Sequence, residues 1–478
     1  MNQNFCFGFT SPDDRLPIGK SGYPPILKHP PPRHQPPATH VTPTSPANSP
    51  TSHSPPTETT ISLVNLKSKL PPKFQKYASF GIFPKLLLAP VAFLILLGFS
   101  LARPFVHIRL YRMVDTRIGH LATNTEMIRL QNLKDNRTGK KKTLIVYCSE
   151  NWQSSNNILR KLFFRNSLHL RGSLAWLTTQ MCRRIKIFHP LHTLKNQDLA
   201  IDFGGLIPEG LPTLMFSPSD QRQGEEFLKS CGITNTKFVC LHVRDSAYLK
   251  NKIPQLTQKH EFRDSEISTF VAAAETLADM GYTVLRMGSI VKEPLVSMHP
   301  RVIDYATNGT RTEFLDVYLG ANCTFCVTTG SGWDSIPTIF RRPILFVNHL
   351  PLFGSSTITL SVLIHPKILV KRGSELHTLK QLIEMNAANR YNSQAYQDAG
   401  VRIRDMSSEE LVEVVTEMAQ RVEGTFVETQ EQKEMQAKLK HILSTHPKLQ
   451  PSPNYYPIRA QFASCFLSRY PNFLDGLD

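Results

Sequence analysis

Arg244 and Asp245 follow the apolar run FVCLHV (238–243) without a break. A run of that length, bounded by polar residues, reads as a strand, so the pair stands at a strand's carboxyl end. An arginine there can hold a phosphate with two parallel hydrogen bonds, and an aspartate can orient it or take a proton. Taken alone, the pair reads equally well as a structural ion pair. Arg263 sits just before a helix start and Arg286 near the end of the strand-like TVLRM. The stretch TTGSGWDSIPTIF (328–340) joins the apolar runs CTFCV and ILFV. Within it Gly330 and Gly332 can take backbone angles closed to other residues, while Ser335 with Pro337 suits the first turn of a helix. Thr329, Gly330, Ser331, Gly332 and Ser335 would then present N–H groups and the positive end of a helix dipole to an anion, most often a phosphate. An ordinary strand-to-helix connection is the plain alternative. Three arginines and a glycine turn around one sheet edge favour a diphosphate site.

Those residues need a sheet to hold them, and the surrounding pattern supplies one. FVCLHV is followed by the helix-like SEISTFVAAAETLADMG, opening near Ser265 and stopped by Gly281, then by the strands YTVLRM and VIDY. RTEFLDVYLG reads as a helix closed by Gly320, before CTFCV, the glycine turn and ILFV. Strand-length apolar runs alternating with helices imply a parallel sheet covered on both faces, and ligands of such sheets bind beyond the carboxyl ends of the strands. Upstream, the helix-like RIGHLATNTEMIRL precedes a strand TLIVYC (143–148), two more helical stretches and a strand IKIF ending at 188, which makes a first α/β unit. PEGLPTLMFSPSDQ reads as an extended linker. The tail is helical, with a capping box from Ser407 to Glu410, and ends in SCFLSRYPNFL, apolar enough to dock.

Length and composition bound the rest. A chain of 478 residues exceeds the size at which one core usually divides, so two folded domains are expected. The net charge of +17 raises a nucleic-acid reading, but the basic residues are dispersed and no zinc-finger, RNP or basic-helix signature accompanies them. An anionic membrane surface and a phosphate-bearing substrate account for the charge instead. The eight cysteines form no paired CxxC framework of the zinc type, the single CTFC (323–326) lying within a strand-like run, and Cys148, Cys240 and Cys326 lie inside apolar runs, which points to a reducing compartment. Asn136, Asn308 and Asn322 head N-x-T sequons that matter only in a secreted chain. Residues 1–80 form a Pro-rich arm too polar to fold. Residues 81–105 hold LLLAPVAFLILLGFSLA, flanked by Lys85 and Arg103, at the lower limit of length for a span. Continuation through ARPFVHIRLYRM suits a helix lying in the interface as well as one crossing it, and the flanking charges do not decide orientation.

The ordered set LHVRDSAYL, FRDSEI, LRMGS, VIDYA, FLDVYLGA, TTGSG and the asparagine of FVNHLP resembles a family of bacterial glycosyltransferases of surface-polysaccharide type. RIGHLATNTE and SSEELVEVVTEM match it too, and the resemblance covers roughly residues 104–475. It implies an α/β, GT-B-like architecture of two Rossmann-like domains facing across a cleft. The expected parts are an N-terminal, acceptor-side domain (106–225), a nucleotide-sugar-binding domain (226–372) and a helical C-terminal extension (373–478). More distantly, H-x-R with a small-residue turn is similar to the donor motifs of fucosyltransferases that use GDP-fucose. Asp245 stands where that motif has a second basic residue and TTGSG lacks its closing arginine, which argues against GDP-fucose.

The resemblance implies a nucleotide-diphosphate sugar as donor and a glycan or lipid-linked acceptor; the apolar segment and the cysteine usage add the expectation of a membrane surface with the catalytic domains facing the cytoplasm, and the dispersed charge that of no nucleic acid. Sugar transfer builds charge on the departing diphosphate. Many enzymes meet it with a divalent metal on a D-x-D pair, which this chain lacks. Arg244, Arg263 and the helix start from Gly330 to Ser335 are expected to do that work without a metal or cofactor. The acceptor's base is open: His120 and Asp245 are candidates, with Glu150 a rival, and a helix-capping or core role for His120 is the alternative. A polysaccharide pyruvyltransferase shares the expected architecture. A membrane-attached scaffold with a decayed site is the non-enzyme reading.

Overall fold

The computed structural model describes residues 82–478 apart from 140, 152, 192–201, 203–204, 236, 253, 255–256, 353–361, 372–374, 389–391, 450–459 and 478. The Pro-rich arm expected over 1–80 therefore lies outside the described residues. The chain enters through helix α1 (Ile82–Ala102), which ends ahead of Pro104. No helix among the described residues is long and apolar enough to cross a membrane.

His107–Arg112, expected to prolong an interfacial helix, instead forms strand β1. Its pattern explains the difference. Ile108 and Leu110 are buried on one side and Tyr111 on the other, a period of two that a helix cannot satisfy. β1 pairs in parallel with β2 (Thr143–Ser149), which pairs with β3 (Leu168–Arg171), giving a three-stranded sheet in the order β1-β2-β3. Helices α2 (Ile118–Thr138) and α3 (Asn157–Phe164) pack one face, where Tyr111, Leu121, Tyr147 and Leu159 are buried. α1 and α4 (Gly172–Arg184) pack the other, with Leu96, Ala175 and Cys182 against Ile108, Leu110 and Val146. IKIF is not a strand. It belongs to a 3-10 turn, Lys186–Leu191, because Pro190 lies within it and Ile187 turns to solvent while Phe188 and Leu191 go inward. The PEGLPTLMFSPSDQ linker likewise carries local structure: a single helical turn, Leu206–Glu209, overlapping its first two residues, and the start of α5 (Pro218–Ser230), capped by Ser217, within it.

The second sheet is parallel throughout and contains β4 (Phe238–His242), β5 (Thr283–Arg286), β6 (Val302–Ile303), β7 (Phe325–Thr328), β8 (Ile344–His349), β9 (Val362–Pro366) and β12 (Gln461–Phe462). Its order is β12-β9-β8-β7-β4-β5-β6. The chain runs outward from β4 through β5 to β6, returns to β7 on the other side of β4, and continues outward through β8 and β9. That is the doubly wound order, with its reversal between β4 and β7. A separate antiparallel pair joins β10 (Ile368–Val370) to β11 (Arg402–Arg404).

Among the helices of this part, α6 (Val271–Asp279) starts later than expected, after a 3-10 turn at Ile267–Phe270, because Ser265 is held by Asn348. α7 (Glu313–Asn322) runs past Gly320 instead of ending there. A Cβ on Gly320 would stand 2.9 Å from Ile336 and 3.0 Å from Trp333, so the glycine admits a neighbouring segment. After the short helix α8 (Ser335–Ile339) come α9 (Leu379–Glu384), α10 (Ser408–Glu423) with its Ser407–Glu410 capping box, α11 (Gln430–Thr445) and α12 (Ser464–Arg469). β12 returns the C-terminal segment to the edge of the second sheet, and Phe462, Phe466, Leu467, Phe473 and Leu474 are buried there.

Residues Pro84–Asp478 cluster as one unit. Glu126 of α2 is wholly buried and accepts from Arg341 at 3.0 Å, from the Thr213 amide at 3.0 Å and from the Thr213 hydroxyl. Glu313 of α7 accepts from the Asn157 amide at 2.8 Å. These bonds tie the helices of the first sheet to those of the second.

Candidate active site

Doubly wound sheets bind their ligands beyond the carboxyl ends of the strands where the order reverses, here between β4 and β7, and charged side chains converge at those strand ends. Arg244, two residues past β4, takes a backbone bond to the sheet: its amide donates to Thr329 Oγ1 at 2.8 Å. Its Nε donates to Asp264 Oδ1 at 3.1 Å. This leaves the four donors of the terminal nitrogens, which match the fork of a phosphate or carboxylate. Arg263, adjacent to Asp264, donates through Nη2 to the Gly330 carbonyl at 2.7 Å, which carries it across to the end of β7. Behind them lies Lys367, only 3% exposed, donating to the Asp264 carbonyl at 2.6 Å and to Asp405 at 2.7 Å. Asn348, with φ of 48°, donates to Ser265 and accepts from the Met406 amide at 2.7 Å.

The electrostatics follow from this packing. Burial pushes the Asp264 carboxyl up to about 6, against the pull of Arg244 and Lys367. His242, the last residue of β4, stacks on the Trp333 ring at 5.5 Å between centroids and 12° between planes. Burial first, then the Arg286 and Arg244 guanidiniums, lower its imidazole to about 4. His349 is held down to about 3 by burial and by Arg263. Both imidazoles are therefore neutral near pH 7.

The glycine turn differs in detail from the expected phosphate cradle. Gly330 does have the left-handed φ of 88°. However, the Ser331 amide donates to both carboxylate oxygens of Asp334 at 2.9 and 2.7 Å, and the Ser331 hydroxyl donates to the same group at 2.8 Å. The Gly330 amide goes to Thr328 Oγ1 and the Trp333 amide to Ser331 Oγ. Asp334, 6% exposed, thus takes the place an external anion would occupy, and burial raises its carboxyl above the usual range. Gly332 also has a different neighbour. A Cβ there would stand 3.2 Å from Ile118 Cγ2 and 3.3 Å from the Gly119 amide nitrogen, while one on Gly119 would lie 3.3 Å from Gly332 Cα and from Ser335 Oγ. The RIGH segment at the start of α2 therefore meets the TTGSG turn backbone to backbone, and both glycines are required for that approach.

The remaining expected residues divide accordingly. Arg244 and Arg263 come together beyond the ends of β4 and β7, with Gly330 between Arg263 and His349. Arg286 does not join them. It is fully buried, paired with Asp304 at 3.2 Å and donating to the Glu293 carbonyl at 3.1 Å, because its strand-end position faces the Leu295–Asp304 loop. Thr329 is also fully buried, and its hydroxyl serves the Arg244 amide. Asp245 accepts from the Ala247 amide at 2.8 Å and the Lys292 amide at 2.9 Å, one per oxygen, as a loop clasp. His120 lies next to Gly119, at the contact with the turn and Ser335. Glu150 is bound to Arg112 at 3.0 Å and to Thr179 at 2.7 Å. Asp264, Lys367, His349 and Asp405 were not singled out by sequence reading. Lys367 carried a usable signal, since a lone lysine between the apolar runs VLIHP and ILV must be paired if those runs are buried. The described cysteines are all free thiols. Among the described residues no group of three or more His, Cys, Asp or Glu could hold a metal ion.

The sequence matches no protein-family model and no curated protein. Among solved structures, the fold is similar to the E. coli ADP-heptose LPS heptosyltransferase II at 13% identity and a TM-score of 0.36, over 61% of this chain and 97% of that one. A family 9 glycosyltransferase from Veillonella parvula gives 12% identity and 0.38, over 66% and 98%. The E. coli heptosyltransferase WaaC with ADP-2-deoxy-2-fluoro heptose gives 12% and 0.26, over 59% and 100%. Likeness at these scores carries no argument about activity, which has to rest on the site.

Proposed function

We propose that this chain is a glycosyltransferase that uses a nucleotide-diphosphate sugar, with two α/β parts arranged in the GT-B manner and the donor diphosphate in the crevice between β4 and β7. One observation carries the reading: the reversal point of a doubly wound sheet coincides with the convergence of Arg244 and Arg263. Arg244, its Nε fixed by Asp264, would fork onto the diphosphate through its terminal nitrogens, and Arg263 would add a second charge as the leaving group forms. Lys367 positions this pair from behind by holding the Asp264 carbonyl. A glycan or lipid-linked acceptor would approach from the first sheet, with His120 as the base that takes the hydroxyl proton. The role of the TTGSG turn in this reading is to seat α2, not to bind phosphate.

The test is thermal-shift screening of the full chain against UDP-, GDP- and ADP-sugars and phosphoenolpyruvate, each with and without EDTA. A ligand at 100 times its dissociation constant adds ~2.7 kcal/mol of stability. A nucleotide sugar should stabilise the protein equally in EDTA, and Arg244→Ala should weaken its binding by roughly 1.5–3 kcal/mol. Stabilisation by phosphoenolpyruvate alone would replace the proposal with a pyruvyltransferase. Binding that needs Mg²⁺ or Mn²⁺ would refute metal independence.

A further inference from the structure

From Leu87 onward the outer face of α1 is apolar. Leu87, Val91, Leu94 and Leu101 are 68%, 44%, 64% and 70% exposed, Gly98 falls between them, and Phe105, 84% exposed, continues the line. Their spacing of four, three, four, three and four residues is that of a single stripe on an α-helix. The opposite face belongs to the protein. Ala92 and Leu96 are fully buried, Leu96 in the cluster with Ile108, Leu110 and Phe188. A contiguous exposed apolar stripe of this kind marks an interaction surface.

Charge identifies what the stripe meets. Residues 82–114 contain no Asp or Glu. Phe93 packs edge-to-face on Phe188 at 5.5 Å, joining α1 to the Lys186–Leu191 turn, where Ile187 is also exposed. Exposed Arg183, Arg184 and Lys186 lead into that turn, and Arg103 lies at the end of α1. None of these four makes an ion pair with another described residue, whereas Arg109 and Arg112 are paired with Asp135 and Glu150. A second copy would bring the same cations face to face, at an electrostatic cost. Anionic lipid headgroups complement them and leave the acyl boundary for the apolar stripe.

We propose that this face is a membrane-docking surface. α1 lies in the plane of the bilayer with Leu87, Val91, Leu94, Leu101 and Phe105 at the headgroup–acyl boundary, and Arg103, Arg183, Arg184 and Lys186 on anionic headgroups. It does not cross, because a helix with one face built into a sheet's core has only the other to offer lipid. This inference stands whether or not the chain transfers a sugar.

The test is flotation of the full chain with vesicles of phosphatidylcholine alone or mixed with phosphatidylserine. Wild type should float with the anionic vesicles and be stripped by alkaline carbonate. Leu94→Glu/Leu101→Glu should lower the bound fraction at least ~tenfold, and so should Arg183→Glu/Lys186→Glu, which changes exposed residues off the helix. Absence of vesicle binding, binding that neither variant alters, or resistance to carbonate would overturn the proposal. So would a wild-type dimer in sedimentation velocity that Leu94→Glu/Leu101→Glu dissolves.

Discussion

Asp264→Asn should stabilise the protein at pH 7.5 and leave its stability nearly unchanged at pH 3. Burial raises the Asp264 carboxyl from 3.8 to about 6, even with Arg244 at 3.1 Å and Lys367 behind it. At pH 3 and below the group is largely protonated in both the folded and unfolded chain and contributes little. Between 4 and 6 the folded chain holds the proton more tightly, so stability falls as pH rises through this window, and above 6 the full cost is present. A gap of about two between the pKa values corresponds to ~3 kcal/mol. The side chain is 21% exposed, so solvent screening reduces this to about 2 kcal/mol. Asparagine mimics the neutral carboxyl and should recover about 2 kcal/mol at pH 7.5. Urea unfolding of wild type and variant at pH 3, 4, 5, 6, 7 and 7.5 measures the difference directly. A variant less stable than wild type at pH 7.5, or a difference that does not change with pH, would show that the Arg244–Asp264 pair outweighs the burial. The proposed function gives the same variant a second consequence. A pair kept at a net cost to stability is the expected state of a site built to hold another anion.

Two further perturbations address how α2 meets the second sheet. Arg341→Met should cost ~3–5 kcal/mol in urea unfolding, because it leaves the buried Glu126 carboxylate with Thr213 alone; adding Glu126→Gln should return part of that loss, and a single-variant cost below ~1 kcal/mol would refute the clasp. Gly119→Ala places a Cβ 3.3 Å from the Gly332 Cα, a backbone atom with little room to yield, at a cost of ~1–3 kcal/mol. Helix propensity returns up to ~1 kcal/mol of it. A net loss of thermal stability is expected, and a net gain would mean that the two segments part readily.

How much of this was legible in the sequence depends on the range over which each residue acts. The strands β2, β4, β5, β6, β7 and β8 were readable because each is an apolar run bounded by polar residues, a signal complete within a few positions. β1 was misread because it adjoins α1 and shares its apolar, basic composition, so the break at Pro104 was the only local cue. β9 and β12 were not recognised, the latter being two residues whose strand character depends on β9 being there to pair with. At the site, Arg244 and Arg263 were legible from their places at element ends. Arg286 stood in an equally suggestive place and was wrong for the cluster, since only the fold puts Asp304 beside it. The pairing of Lys367 with Asp405 spans 38 positions, beyond the reach of any local pattern.

The TTGSG turn shows why a motif with the right chemistry can have another function. Gly, Ser and Asp at such a turn suit a bound phosphate and a self-capped turn alike, because both need converging N–H groups and a nearby anion. The deciding residue is Asp334, three positions beyond Ser331, whose carboxylate reaches back and fills the turn. The glycines have the same ambiguity. A missing side chain permits the approach of a phosphate or of another backbone, and here the backbone is that of Gly119, more than 200 positions away. Loss of nucleotide binding in Gly332→Val would therefore not distinguish a blocked phosphate from a displaced α2, since the new side chain strikes Ile118 first. Arg244→Ala separates them. It removes charge from the crevice while leaving the turn, Gly119 and the Arg244 amide bond to Thr329 in place.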